Sequence, residues 1–148
     1  MPHISATIVA CNEANNLARA LRSLACADEI VVVDSGSTDE TPAIAARLGA
    51  RVINQPWQGY AAQKNLATDH AQHEWILSLD ADEELDAVAQ DAIRSWKDSE
   101  PAADGYRFAR RARYLGRWIL HSAGIRITRF ASSTGGRAGG TESTFTSP

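Results

Sequence analysis

Two aspartates separated by a single residue follow an apolar segment near the middle of the chain. Asp80 and Asp82 come directly after residues 75–79 (Trp-Ile-Leu-Ser-Leu). In an extended segment, side chains two residues apart point to the same side. At ~6 Å and an effective dielectric of ~20, the two carboxylates would repel each other by about 3 kcal/mol. A divalent cation that bridges them to a diphosphate removes this repulsion, and carboxylate oxygens suit Mg²⁺ or Mn²⁺.

A structural interpretation of the same aspartates stays open. Asp82, Glu83 and Glu84 precede a segment with helical periodicity that we expect to start at residue 84. Acidic residues at a helix start are favoured by capping and by the helix dipole alone. The sequence does not decide between a metal site and a helix cap.

Asp34 is a second candidate for binding, since it ends the apolar run of residues 30–33 and precedes the turn Ser35-Gly36-Ser37. Its carboxylate can accept a hydrogen bond from an N–H group of a base such as uracil. The alternative is a turn-forming aspartate that accepts from its own backbone. No G-x-G-x-x-G fingerprint and no P-loop follows the strand, so the common dinucleotide and P-loop classes are excluded.

Lys64 is one of two lysines in the chain, and either a phosphate contact or a solvated helix surface would explain it. His70 and His73 lie at the end of a polar helical segment, where we expect no metal site. The spacing supports no Ser–His–Asp or Cys–His arrangement either.

Short apolar runs alternate with helix-period segments over the first hundred residues. This pattern predicts a mostly parallel α/β sheet, with ligands beyond the carboxyl ends of its strands. Asn12 is the predicted N-cap of the first helix, and Ser37 with Glu40 fits a capping box. The predicted strands cover residues 4–10, 30–33, 51–53, 75–79 and 106–113, and the predicted helices cover residues 13–24, 37–48, 60–70 and 84–96.

Length and composition predict one globular domain, because the chain has 148 residues with 44% hydrophobic and 22% charged residues. We see no apolar run long enough for a membrane span and no secretory signal, and therefore expect a cytoplasmic protein. Cys11 and Cys26 match no metal spacing, and we expect both to be buried free thiols.

Charge is distributed unevenly. Residues 1–104 contain 17 acidic and 7 basic residues, whereas residues 105–148 contain 1 acidic and 8 basic ones. Five arginines alternate with aromatic residues in the stretch that includes Arg107 and Arg117. This stretch fits a solvated sheet edge or a contact with a phosphorylated lipid acceptor at the inner-membrane surface. It matches no nucleic-acid-binding module, so we expect no nucleic-acid partner.

Three segments taken together resemble the family 2 inverting glycosyltransferases. They are residues 8–13 (Ile-Val-Ala-Cys-Asn-Glu), residues 30–39 (Ile-Val-Val-Val-Asp-Ser-Gly-Ser-Thr-Asp) and residues 77–83 (Leu-Ser-Leu-Asp-Ala-Asp-Glu). The resemblance runs over residues 3–122, and is greatest to bacterial lipopolysaccharide-core glycosyltransferases. It implies the GT-A fold, a mostly parallel twisted sheet flanked by helices that binds a nucleotide-diphospho-sugar.

The resemblance also implies roles for individual residues. Glu13 and Asp34 would hold the nucleoside of a UDP-sugar, and Lys64 would lie near the base and phosphates. Asp80 would lie near the ribose and the metal, and Asp82 would bind Mg²⁺ or Mn²⁺ on the diphosphate. The implied nucleotide-sugar-binding set is Ala10, Glu13, Asp34, Lys64, Asp80 and Ala81, with Asp80 and Asp82 as metal ligands.

The C-terminal part departs from the family pattern. After residue 122 the expected Gly-Trp-Tyr-Pro-Asp stretch is replaced by residues 124–129 (Gly-Ile-Arg-Ile-Thr-Arg). A truncation, or a shift of the reading frame near residue 123, would explain the difference. We therefore predict a glycosyltransferase domain over residues 1–122 and a low-complexity, disordered tail over residues 123–148.

The acceptor implied by the resemblance is a lipid-linked, lipopolysaccharide-core or related cell-envelope glycan. An inverting transfer requires a general base, and the sequence identifies none, because Glu142 is the one acidic residue after Asp104. Two alternatives stay open: an inactive donor-binding fragment, and a D-x-D phosphatase or phosphotransferase with Asp80 as nucleophile. A sugar nucleotidyltransferase is disfavoured, because it requires a glycine-rich, basic loop after the first strand and residues 11–16 (Cys-Asn-Glu-Ala-Asn-Asn) are neither.

Overall fold

The computed structural model describes the backbone of residues 1–114, 117–130 and 142–145, and the side chains of residues 1–107 and 125–130. Strands and helices alternate through residue 97, and strands alone follow. The strands are β1 (Ile4–Ala10), β2 (Glu29–Asp34), β3 (Arg51–Asn54), β4 (Trp75–Ser78), β5 (Gly105–Tyr114), β6 (Arg117–Arg129) and β7 (Glu142–Phe145). The helices are α1 (Leu17–Ser23), α2 (Thr41–Arg47), α3 (Tyr60–Asp69) and α4 (Ala87–Lys97).

The described strands form one sheet in the order β3-β2-β1-β4-β6-β5-β7. β3, β2, β1 and β4 are parallel to one another, whereas β6 runs antiparallel to both of its neighbours, β4 and β5. The mostly parallel sheet predicted from the sequence is therefore confirmed. The chain leaves β1 toward β2 on one side and returns as β4 on the other, which opens a crevice at their carboxyl ends.

The central strands are buried because apolar side chains cover both faces of the sheet. Ile4, Ile8, Val32 and Leu77 are at most 1% exposed. A second apolar layer comes from the helices, where the Trp96 ring packs edge-on against Trp75 with the centroids 4.9 Å apart. Fully burying such side chains contributes about 1.5–3 kcal/mol each, which holds the strand ends in fixed positions.

The predicted starts of α1 and α2 are wrong. α1 begins at Leu17 rather than at residue 13, because Asn12 has a φ of 53° and cannot begin a right-handed helix. α2 begins at Thr41, and no capping box forms, because the Ser37 hydroxyl oxygen accepts from the Asn12 N–H and not from a helix N–H. In both cases tertiary hydrogen bonds use the polar groups that the local sequence pattern assigns to capping.

The domain boundary predicted between residues 122 and 123 falls inside β6. β6 continues to Arg129 and pairs with β4, with Ile127 opposite Leu77 and completely buried. β7, within the predicted tail, pairs with β5. The predicted disorder of residues 131–141 and 146–148 lies outside the described residues, as do the side chains of residues 108–124, which include most of the arginine-rich stretch.

The two cysteines differ from each other. Cys26 is buried, and that burial raises the pKa of its thiol. Cys11 is exposed, contrary to the prediction, because it lies just beyond the last residue of β1 and not inside the strand. Within the described parts of the chain, no helix is long and apolar enough to span a bilayer.

Candidate functional site

A pocket of about 630 Å³ opens at the carboxyl ends of β1, β2 and β4. Six of the seven residues predicted to bind nucleotide sugar or metal line it. They are Ala10, Glu13, Lys64, Asp80, Ala81 and Asp82. The other lining residues are Val9, Cys11, Ser35, Trp57, Tyr60 and Ala61. The fold thus brings together residues that are up to 73 positions apart in the chain.

The loops after β1 and β2 hold each other in place. The Asn12 N–H donates to Ser37 Oγ at 2.8 Å, and Asn12 Oδ1 accepts from the Thr38 N–H at 2.8 Å. The Glu13 N–H donates to Thr41 Oγ1 at 2.9 Å. Asparagine tolerates the left-handed conformation that Asn12 adopts, which explains its presence at this turn. These bonds fix Glu13 at the rim of the pocket.

Asp39 strengthens the same junction. Its carboxylate accepts from the hydroxyl and the backbone N–H of Thr41, and from the Ala14 N–H at 3.2 Å. The Thr41 hydrogen bonds lower the pKa of the Asp39 carboxyl. Asp39 therefore serves as a link between the two loops.

Asp34 differs from the other predicted residues, since it is 1% exposed and does not line the pocket. Its Oδ2 accepts from the N–H groups of Gly36 and Ser37 at 3.2 and 3.0 Å, and its Oδ1 accepts from Ser37 Oγ. These contacts match the turn-forming interpretation of Asp34. The neighbouring Ser35 lines the pocket in its place, and the role of Asp34 at a base stays a prediction.

Lys64 forms an ion pair with Asp80 and is not simply a solvated residue on the helix surface. Its Nζ lies 3.1 Å from Oδ1 of Asp80, and both side chains are about half exposed, at 47% and 48%. The Asp80 N–H donates to Glu83 Oε2 at 3.0 Å, which fixes the turn after β4. Helix α3 and the carboxyl end of β4 thus meet through one ion pair at the pocket.

Asp82 is exposed and makes no hydrogen bond or ion pair with any residue that the structure describes. Helix α4 begins at Ala87, three residues later than predicted, and its N-cap is Asp86. The Asp86 carboxylate accepts from the Ala89 N–H at 2.7 Å. The capping interpretation of Asp82 is therefore wrong, and its carboxylate is available to a ligand.

The donor set of the pocket fits a divalent cation only in part. Over the described residues, no three His, Cys, Asp or Glu side chains converge into a cluster that could hold a metal ion. Mg²⁺ commonly takes one or two protein carboxylates and completes its coordination with water and substrate phosphates. Asp82, with Asp80 beside it, matches that kind of site, in which the substrate supplies the remaining ligands.

Two exposed aromatic residues at the pocket were missed by the sequence analysis. Trp57 and Tyr60 are 50% and 75% exposed, and their rings meet edge to face with centroids 4.7 Å apart. Gly59, with a φ of 102°, turns the chain between them into α3. The sequence contained a signal for them, because two large aromatic residues on either side of Gly59, in a polar linker, indicate an exposed aromatic surface.

Helix α3 is tied to the strand ends by a buried amide. Gln63 is fully buried, and its Nε2 donates to Ser35 Oγ at 2.9 Å and to the Gln55 carbonyl at 3.0 Å. Lys64, the next residue, contacts the β4 end. The first two turns of α3 therefore bridge the β2 side and the β4 side of the pocket.

This strand order, with helices between the parallel strands and a pocket at their carboxyl ends, is the GT-A glycosyltransferase fold. The fold is similar to that of Staphylococcus aureus TarS, with a TM-score of 0.65 and 21% sequence identity. The superposition covers 86% of this chain and 47% of the TarS chain. The Pyrobaculum calidifontis mannosyltransferase PcManGT, solved with GDP-Man and Mn²⁺, is similar to the same degree (TM-score 0.65, 23% identity, 86% of this chain and 44% of that chain).

The chain belongs to Glycosyl transferase family 2, whose family model matches residues 5–147. An uncharacterized glycosyltransferase of Rickettsia felis is 52% identical over 94 residues, which cover 63% of this chain and 33% of the relative. The lipopolysaccharide core biosynthesis glycosyltransferase LpsC of Rhizobium meliloti is 36% identical over 118 residues, which cover 76% of this chain and 44% of the relative. The chain thus spans between a third and a half of the length of these relatives.

Proposed function

We propose that this chain carries the donor site of an enzyme that transfers a sugar from a nucleotide diphosphate, a UDP-sugar, to a lipopolysaccharide-core or related cell-envelope glycan. The observation that carries the proposal is the free Asp82 carboxylate in a pocket lined by family-motif residues. Similarity to LpsC supports the acceptor class. The proposed place of action is the cytoplasm, with a peripheral contact at the inner membrane through the stretch between Arg107 and Arg117.

Charge supports a metal-assisted donor site. Among the described residues that line the pocket, Glu13, Asp80 and Asp82 carry negative charges and Lys64 carries a positive one. A diphosphate would be repelled by this lining unless a cation accompanied it. Asp82, with Asp80, would hold Mg²⁺ or Mn²⁺, which when bound stabilises the charge on the leaving nucleoside diphosphate.

The remaining lining residues would orient the nucleoside. Glu13 is held rigidly at the rim and can accept from ribose hydroxyls, and Asp34 would shape the turn at the base. Trp57 and Tyr60 would offer an apolar face to the base, because stacking on aromatic rings contributes about 1–3 kcal/mol per base. Lys64 would contact the phosphates, and Ala10 and Ala81 would leave room for the donor.

Inversion requires a general base that removes a proton from the acceptor hydroxyl. The pocket lining contains no carboxylate beyond those assigned to the donor and metal among the described residues. The base would come from the acceptor side of the enzyme.

A titration of UDP and UDP-sugars with and without Mn²⁺, followed by calorimetry and thermal unfolding, tests the proposal. A ligand at 100 times its dissociation constant adds about 2.7 kcal/mol of stability. We expect this stabilisation with Mn²⁺ and much less without it. Equal binding in both conditions would contradict the metal assignment.

Turnover separates the remaining alternatives. Sugar transfer or slow hydrolysis of the UDP-sugar supports an active transferase, whereas metal-dependent UDP binding without turnover supports a donor-binding fragment. Hydrolysis of a generic phosphate ester, abolished by Asp80→Asn, would instead favour the D-x-D phosphatase.

A further inference from the structure

We propose that the Lys64 ammonium group occupies the metal position at Asp80 until the donor binds, and then moves to the diphosphate of the donor. The inference rests on the proposed donor site and concerns how that site couples its two ligands. Lys64 would be a positioning residue that acts through Asp80. Because of this coupling, the protein would bind each of the two ligands, the metal and the nucleotide, more tightly when the other is present.

The first step of the argument is the ion pair itself. Lys64 Nζ lies 3.1 Å from Asp80 Oδ1, and the Lys64 side chain lines the same pocket as Asp82. An ammonium group at this distance neutralises one carboxylate of the pair and reduces the attraction of the site for a second cation. A divalent ion that binds Oδ1 of Asp80 must therefore displace Lys64.

The second step is that displacement is easy. Both partners are about half exposed, and an ion pair of that kind contributes little to stability. Lysine also has a flexible four-carbon stem and donates in several directions, so its ammonium can move to a nearby oxygen. The helix need not move, because Gln63 anchors α3 independently to Ser35 and to the Gln55 carbonyl.

The third step is where Lys64 would go. A diphosphate bound in the pocket that Lys64 lines would offer its ammonium a stronger partner than a half-exposed carboxylate. The ligand that binds first, metal or nucleotide, must break the Lys64–Asp80 ion pair. The ligand that binds second finds the pair already broken and does not meet this cost. The result is positive cooperativity, which is reciprocal between the metal and the nucleotide.

The chain offers a matched control. Arg19 pairs with Glu84 at 3.2 Å, and both side chains are about half exposed, at 57% and 52%. Neither residue lines the pocket. Arg19→Met removes the same charge from a similar ion pair close to the turn after β4, so it reports the general effect of lost positive charge on Mn²⁺ affinity.

The experiment compares wild type, Lys64→Met, Lys64→Arg and Arg19→Met. Binding of Mn²⁺ alone is measured by electron paramagnetic resonance of the free ion, and binding of UDP is measured by calorimetry with and without Mn²⁺. We expect Lys64→Met to bind Mn²⁺ alone up to about fivefold more tightly than Arg19→Met. It should bind UDP alone more weakly, and the cooperativity should fall by a similar factor.

The outcomes separate this inference from the proposed function. If wild type shows UDP–Mn²⁺ cooperativity and Lys64→Met changes Mn²⁺ affinity no more than Arg19→Met does, the inference is overturned and the donor site stands. If wild type binds UDP without any cooperativity with Mn²⁺, both the metal assignment and this inference are overturned, whereas no UDP binding under either condition overturns the donor site itself. Retained cooperativity in Lys64→Arg supports the exchange, because that variant keeps the charge. Circular dichroism confirms folding, since methionine favours a helix as lysine does.

Discussion

Asp86 caps helix α4 by accepting from the Ala89 N–H at 2.7 Å, and Asp82, four residues earlier, takes no part in the cap. The two carboxylates lie in one acidic stretch and have separate tasks, one structural and one open to a ligand. Because the two roles lie on different residues of one loop, the structural effect of removing a charge can be measured at Asp86 and the functional effect at Asp82.

Asp82→Asn and Asp86→Ala should therefore give opposite results. Asp86→Ala loses the cap and should lower the free energy of unfolding by about 1 kcal/mol, with unchanged Mn²⁺-dependent UDP binding. Asp82→Asn should change stability by less than ~0.5 kcal/mol and weaken Mn²⁺-dependent UDP binding at least tenfold, about 1.4 kcal/mol. Urea unfolding and calorimetry measure both quantities. Unchanged UDP affinity in Asp82→Asn would remove the metal site.

Asp34→Ala should affect both stability and nucleoside binding. Loss of the carboxylate leaves the Gly36 and Ser37 donors without their partner, which should cost about 1–3 kcal/mol. Ser37→Ala keeps both backbone donors but removes the hydroxyl that donates to Asp34 Oδ1 and accepts from the Asn12 N–H, so it serves as the control for a loosened turn. If Asp34 also contacts the base, Asp34→Ala should weaken uridine binding more than Ser37→Ala does. Equal losses would leave Asp34 with a structural role alone.

Trp57 should report nucleotide binding through its fluorescence. It is 50% exposed at the pocket, whereas Trp75 and Trp96 are at most 4% exposed. Stacking of uracil on the ring should quench the emission, and Trp57→Phe should abolish that change while keeping most of the affinity. Inorganic pyrophosphate with Mn²⁺ should bind without quenching. Quenching by pyrophosphate alone would contradict a contact between Trp57 and the base.

Asp28 should make stability depend on pH in the acid range. Burial raises the pKa of its carboxyl, but hydrogen bonds from Lys97 Nζ and the Ile4 N–H outweigh that effect and lower the pKa from its usual 3.8. A group with a lowered pKa in the folded state stabilises the protein above its unfolded pKa. That stability is lost as the pH falls through the folded pKa.

Asp28→Asn should therefore be less stable than wild type at pH 7, and the difference should shrink below pH ~4. Urea unfolding between pH 7 and pH 3 measures it. Asp69→Asn, at an exposed position at the end of α3, is the matched control and should follow the wild-type curve. A constant difference at all pH values would show that the ion pair with Lys97 is not responsible.

The positions of β1 to β5 and of most pocket residues followed from the sequence, because strand ends in a parallel sheet must meet at one edge, whereas β6 and β7 were not predicted. Ala10, Glu13 and Asp80 end or follow apolar runs that local pattern identifies. The starts of α1 and α2 did not follow from the sequence, because the polar groups of Asn12 and Ser37 bind residues about 25 positions away. Ile127 was missed for a related reason, because a basic, glycine-containing stretch gives no sign that a neighbouring strand needs a partner.

The position of β6 in the sheet imposes an order on folding during synthesis. β6 lies between β4 and β5 although both precede it in the chain, so the hydrogen-bonding edge of β4 stays open until residue 129 has left the ribosome. At about 5–20 residues per second, that edge is exposed for several seconds after β4 itself emerges. An open strand edge is a template for pairing with other chains, so a nascent or shortened chain ending before β6 is expected to aggregate.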